Sequence, residues 1–146
     1  MSSYISAELR RIVAARADYL CEYCLIHEPD TFIGCSVDHI ISEKHGGRTH
    51  PENLAYACAL CNRYKGSDVG SVSRNTGVFV RFFNPRVDRW ADHFLLDVVR
   101  IVTLTDIGEA TARILLFNDI ERLIERQELR SFGKYPSAPA LARMKG

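Results

Sequence analysis

Cys21-Glu22-Tyr23-Cys24 and Cys58-Ala59-Leu60-Cys61 repeat one spacing, Cys-x2-Cys, with 33 residues between the two pairs. A tight turn lets both sulfurs of such a pair reach one tetrahedral ion at ~2.3 Å, and two such turns fill its four positions. The pattern predicts a structural zinc site at Cys21, Cys24, Cys58 and Cys61. A disulfide framework fits poorly, because five cysteines are an odd count and no export signal is visible, both of which point to a reducing compartment. A thioredoxin-like redox centre would place one such pair beside a βαβ pattern, which is not seen. Cys35, the fifth cysteine, reads as a small apolar core residue rather than a ligand.

Outward from the pairs, Ser6 can cap a helix whose apolar positions Leu9, Ile12, Val13 and Ala17 recur at helical spacing, with Leu20 leading into Cys21. Residues 28–34 read as a loop. Cys35 to Ile41 is β-branched enough for a strand, Gly46-Gly47 and Pro51 mark an irregular loop, and Asn53 to Cys58 reads as a returning strand. Ala59 to Lys65 then forms a short helix closed by Gly66. The expected order is helix, strand, loop, strand, helix.

Beyond Gly66 the composition shifts. Gly70 to Gly77 reads as a surface loop or flexible connector, Val78 to Phe82 as a strand, and Val87 to His93 as a helical turn or two carrying Trp90. Phe94–Leu96 and Arg100–Leu104 suggest a hairpin, and Thr105 and Asn118 each suggest a helix cap. Residues 136–146, with Pro136, Pro139 and few core-forming side chains, are expected to be a mobile tail.

The 146 residues are 47% hydrophobic and 25% charged, which matches a soluble globular chain and excludes a disordered or low-complexity one. Charges break every apolar run, so no membrane span is expected. The N-terminus, Met1 to Ser6, lacks a basic region followed by an apolar one, and a cytoplasmic location follows as the expectation. Net charge is +1, which excludes an indiscriminate polycation, but residues 63–89 carry a net +4, with Arg63, Lys65, Arg74, Arg81, Arg86 and Arg89 against Asp68 and Asp88. That stretch is either a nucleic-acid-binding surface or a solvated face, and Arg86 and Arg89 could instead pack on the Trp90 ring.

Inside the insert stand Asp38-His39, Asn53, and Asn62 directly after the last cysteine. With the two cysteine pairs, Ile40-Ile41, Gly46-Gly47, Leu54 and Lys65-Gly66, these residues make the chain resemble the HNH endonucleases over residues 16–66. The His-Asn-His signature falls on His39, Asn53 and Asn62, the last being a departure from the name. The resemblance implies a ββα-metal nuclease core, placed over residues 1–67; the strands and helices read beyond it make residues 68–146 an α+β C-terminal extension, expected to dock on that core, so the expected fold class is α+β. It also implies an endonuclease, a hydrolase of nucleic acid phosphodiesters, most often DNA, that leaves 5′-phosphate and 3′-hydroxyl ends.

Elementary chemistry leads to the same residues. Hydrolysis needs a water deprotonated near neutral pH, and a neutral imidazole with an ordinary pKa of about 6.5 suits it, so His39 is the expected general base. Asp38 and Asn62 offer hard oxygens for one Mg²⁺ or Mn²⁺. Neighbours on a regular strand face opposite ways, so Asp38 and His39 can share a phosphate only where the strand bends or ends. The Asn53 amide is expected to bind backbone of the 39–52 loop and hold His39 in orientation. Lys65, three residues past Asn62, is either a phosphate contact or a solvated lysine. A zinc-dependent DNA-binding module without catalysis is the rival reading, and a purely structural zinc domain would leave the arginine stretch unexplained.

Overall fold

In the computed structural model, residues 4–146 are described; residues 1–3, part of the N-terminal stretch read above, lie outside them. The Ser6 hydroxyl caps α1 (Ala7–Arg16), accepting the Leu9 N–H at 3.1 Å. Val13, Ala14 and Ala17 of this region bury against Leu54 and Tyr56. The buried stripe runs Leu9, Val13, Ala17, one residue every four; Ile12 falls about 100° off it and is half exposed.

Cys35–His39 (β1) pairs antiparallel with Leu54–Cys58 (β2), from Cys35 opposite Cys58 to His39 opposite Leu54. The chain passes directly from β2 into α2 (Ala59–Lys65), which packs on both strands. Gly66 ends it with a positive φ of 52°, a conformation that costs glycine little. Helix, strand, strand and helix therefore follow in the expected order, and β1 ends at His39.

The segment read as a flexible connector holds a strand. Gly70–Val72 (β3) pairs with Phe79–Arg81 (β4). A Cβ on Gly70 would lie 2.3 Å from the Val80 carbonyl oxygen, so the strand needs the residue type that made it resemble a loop. Trp90–His93 (α3) leads into a hairpin of Phe94–Asp97 (β5) and Arg100–Thr103 (β6). Thr105 caps α4 (Asp106–Ile114) by accepting the Gly108 N–H at 3.0 Å. Asp119, not Asn118, precedes α5 (Ile120–Ser131). Asn118 instead binds both backbone groups of Ile101, accepting its N–H at 2.9 Å and donating to its carbonyl at 2.8 Å.

The C-terminal tail, expected to be mobile, contains α6 (Ala138–Met144), with Ala140 fully buried and Arg143 bonded to Arg16 and Asp18. Ser137 caps α6, with Pro139 in its first turn, where the missing N–H costs no helical bond. The fold is mixed α+β, built among the described residues of helices and three two-stranded antiparallel sheets. Beside the cluster under α1, a larger core joins Tyr23, Leu25 and Ile26 to Phe83, Trp90, Phe94 and Phe117. Each such side chain contributes roughly 1.5–3 kcal/mol on burial. Trp90 donates its indole N–H to the Tyr23 carbonyl at 2.8 Å, tying the first cysteine pair to the C-terminal half. Among the described residues, no helix is long and apolar enough to cross a membrane.

Candidate active site and metal centre

The four sulfurs of Cys21, Cys24, Cys58 and Cys61 all lie within 4.8 Å of one another, and those of Cys24 and Cys58 are 3.7 Å apart. A tetrahedral zinc with ~2.3 Å bonds requires sulfurs ~3.8 Å apart, so the donor set fits that ion in number, chemistry and spacing. Each pair closes its turn with a backbone N–H aimed at the leading sulfur: Cys24 at Cys21 and Cys61 at Cys58, both at 3.5 Å. Burial pushes the Cys21 and Cys61 thiols up, whereas hydrogen bonds from the other three sulfurs pull Cys24 down. Cys35 stays outside the cluster, half buried opposite Cys58, its thiol pushed up by burial.

At the far end of β1, Asp38 and His39 obey strand alternation. Asp38 turns inward and is 4% exposed, accepting the Tyr23 hydroxyl at 2.9 Å and pairing with Lys65 at 3.2 Å. Burial pushes its carboxyl up, against the pull of Lys65, Tyr23 and His39. His39 turns the other way: its Nε2 is 2.9 Å from Thr49 Oγ1 and 3.7 Å from Glu43 Oε1. Both residues still border one open cleft of about 500 Å³, whose lining also includes Ser42, Glu43 and, from α2, Asn62.

Asn53 clasps the loop between the strands. Its Oδ1 accepts the Ile41 N–H, and its Nδ2 donates to the carbonyls of Ile41 and Arg48, each at 2.9 Å. Gly47 is required beside it, because a Cβ there would sit 1.6 Å from the Ile41 carbonyl oxygen and 2.9 Å from Asn53 Nδ2.

A hairpin carrying Asp-His at the end of its first strand, an Asn-braced loop, and a helix beginning at a cysteine pair are now in place. Residues 21–68 match the HNH endonuclease family. The matched segment contains all four clustered cysteines together with Asp38, His39, Asn53 and Asn62. The chain has no match among the curated proteins or the solved structures compared with it. The match, over about a third of the chain, points to a nuclease or nucleic-acid-binding role for that segment.

The basic stretch divides on folding. Lys65 is 1% exposed, bound to Asp38 and, at 3.0 Å, to the His39 carbonyl; it is neither a phosphate contact nor a solvated lysine, because α2 lays it over the end of β1. Arg81 grips Asp88 with two bonds, at 2.7 and 3.0 Å. Arg86 pairs with Glu22, which lies between the first two cysteines, and its side chain is 8% exposed. Arg63, Arg74 and Arg89 remain exposed. Among the described residues, the arginines over rings are Arg122 on Phe117 and Arg126 on Tyr135, whereas Trp90 has Phe94 as its ring neighbour.

Sequence reasoning missed Tyr23, Glu43, Thr49 and Arg122. Tyr23 and Arg122 have no local signal, since a tyrosine between cysteines and an arginine in a helix read as ordinary. Thr49 and Glu43 lie within ten residues of His39 in the loop, but only its folded path brings them to the ring.

Proposed function

We propose that the protein is a metal-dependent endonuclease that hydrolyses nucleic acid phosphodiester bonds, with DNA as substrate, His39 as general base, and Asp38 and Asn62 holding one Mg²⁺ or Mn²⁺. The observation that carries this reading is His39 bound at Nε2 by Thr49 on the border of the cleft that Asp38 and Asn62 also line. In the neutral tautomer that donates Nε2–H to Thr49, the lone pair stays on Nδ1, and Nδ1 takes the proton of the attacking water. Thr49 is then a positioning residue that holds the ring in place.

The hard oxygens of Asp38 and Asn62 suit a divalent ion, which when bound neutralises charge on the phosphate and the departing 3′ oxygen. Asn53 fixes the loop that follows His39, and Lys65 fixes the His39 carbonyl. In this reading residues 1–67 are the nuclease unit and 68–146 an extension docked on it. Arg63, Arg74 and Arg89 are the arginines left to meet phosphates.

Nicking of supercoiled plasmid tests the proposal. Mg²⁺ or Mn²⁺ should support cleavage and EDTA should stop it. His39→Ala should lower the rate by roughly 10²–10⁴-fold, the usual contribution of a general base, while DNA affinity stays the same. One observation favours a second reading, a zinc-dependent DNA-binding module without catalysis: Lys65 already neutralises Asp38. Binding without metal-dependent cleavage would select it.

A further inference from the structure

The sulfur cluster has a neighbour that the cysteine spacing does not account for. Zinc held by four thiolates carries a net charge of −2, and these cysteines are between 0% and 5% exposed. A buried charge of that size is costly unless an opposite charge or hydrogen-bond donors offset it. Arg122, from α5, is 3% exposed and places Nη2 at 3.1 Å from the Cys61 sulfur and 3.7 Å from the Cys58 sulfur. Its Nη1 donates to the Leu115 carbonyl at 2.7 Å, and its guanidinium lies 5.7 Å from the Phe117 ring centre. The fork is therefore held in place from sides other than the sulfurs.

Arg126, one turn further along α5, is an internal comparison. It is as deeply buried, at 2%, but donates to the carbonyls of Val99 and Phe117 and to Asn118 Oδ1, with no bond to sulfur. Burial of arginine in α5 is thus not enough to define the role of Arg122; its aim at two sulfurs sets it apart.

We propose that Arg122 is a working part of the zinc centre, offsetting the tetrathiolate charge and hydrogen-bonding the Cys58 and Cys61 sulfurs, so that the C-terminal half completes a site whose ligands all lie within residues 21–61. Guanidinium bonds offset charge on the two sulfurs and hold them at the ion, which slows ligand loss. Arg122 touches neither the cleft lining nor His39, so its effect falls on metal retention. The proposal rests on the zinc assignment and is independent of the nuclease reading, since no cleavage measurement enters its test.

The experiment uses the full chain purified with zinc and follows zinc transfer to a chromophoric chelator from Arg122→Met, Arg122→Gln and Arg126→Met. Partners outside the ligand shell usually alter metal affinity 10–100-fold. Arg122→Met should release zinc at least tenfold faster than the parent, Arg122→Gln should fall between them, and Arg126→Met should release at the parent rate even if its melting temperature drops. If Arg122→Met does not fold, the folded Arg122→Gln protein decides. Parental release from a folded Arg122 variant overturns the proposal. So does equal acceleration in the Arg122 and Arg126 variants, because that pattern reports loosened packing of α5. A cobalt-loaded sample supplies a second readout: the thiolate-to-metal charge-transfer band should shift in Arg122→Met and stay in place in Arg126→Met.

Discussion

Lys65 and Asp38 form an ion pair at 3.2 Å in which neither side chain is more than 4% exposed. The pair joins α2 to the end of β1, and the same ammonium bonds the His39 carbonyl. Removing one member leaves the other buried and uncompensated, which typically costs about 3–5 kcal/mol. Lys65→Met should therefore destabilise the protein by that amount in thermal or denaturant unfolding, and Lys65→Met with Asp38→Leu should recover part of the loss. A Lys65→Met protein as stable as the parent would place this lysine at the surface.

Asn53 and Gly47 should act on the rate of any cleavage rather than on binding. Asn53→Ala removes three hydrogen bonds to the loop, and Gly47→Ala inserts a methyl group where the Ile41 carbonyl stands. Both should lower cleavage at least tenfold with DNA affinity within about twofold, because misplacing a catalytic group by ~1 Å costs on the order of 10²-fold. Single-turnover kinetics and filter binding separate the two effects.

Asp88 gives a dependence on pH. Partial burial pushes its carboxyl up, but the Arg81 guanidinium, the Asn84 N–H and His93 outweigh burial and hold it below the ordinary Asp value of 3.8. A carboxylate with a depressed pKa contributes stability that is present above its unfolded pKa and lost as pH falls through the folded one. Arg81→Gln should thus cost about 0.2–1 kcal/mol, the range for an exposed ion pair, at pH values above about 5. The difference from the parent should shrink below pH 4 in paired unfolding curves. Since Arg81 is committed to Asp88, the slope of DNA affinity against salt should not change, whereas losing a true phosphate contact flattens that slope by ~0.9.

Cys58→Ser and Cys35→Ser should separate cleanly. Cys58 contributes one of four clustered sulfurs and caps α2 through the Cys61 N–H. Its replacement should abolish zinc retention and leave the protein unfolded or aggregated, because binding free energy at such a site is folding free energy. Cys35 lies outside the cluster, and Cys35→Ser should retain one zinc per chain by elemental analysis, with a small loss of melting temperature.

What the chain shows on its own is local or periodic. The two cysteine pairs, the Ser6 and Thr105 caps, the strands at 35–39 and 54–58 and the Asp38-His39, Asn53 and Asn62 string are legible because spacing and residue type decide them over a few positions. β3 was hidden because the close approach of Val80 demands the Gly70 that otherwise signals a loop, and α6 because two prolines suggested disorder where one of them opens a helix. The fate of each charged residue was decided only in three dimensions. Lys65, Arg81, Arg86 and Arg122 are alike in sequence, but folding turns them into partners of Asp38, Asp88, Glu22 and two sulfurs. An ionic contact depends on which distant group burial brings within a few ångströms, and no spacing along one chain encodes that meeting.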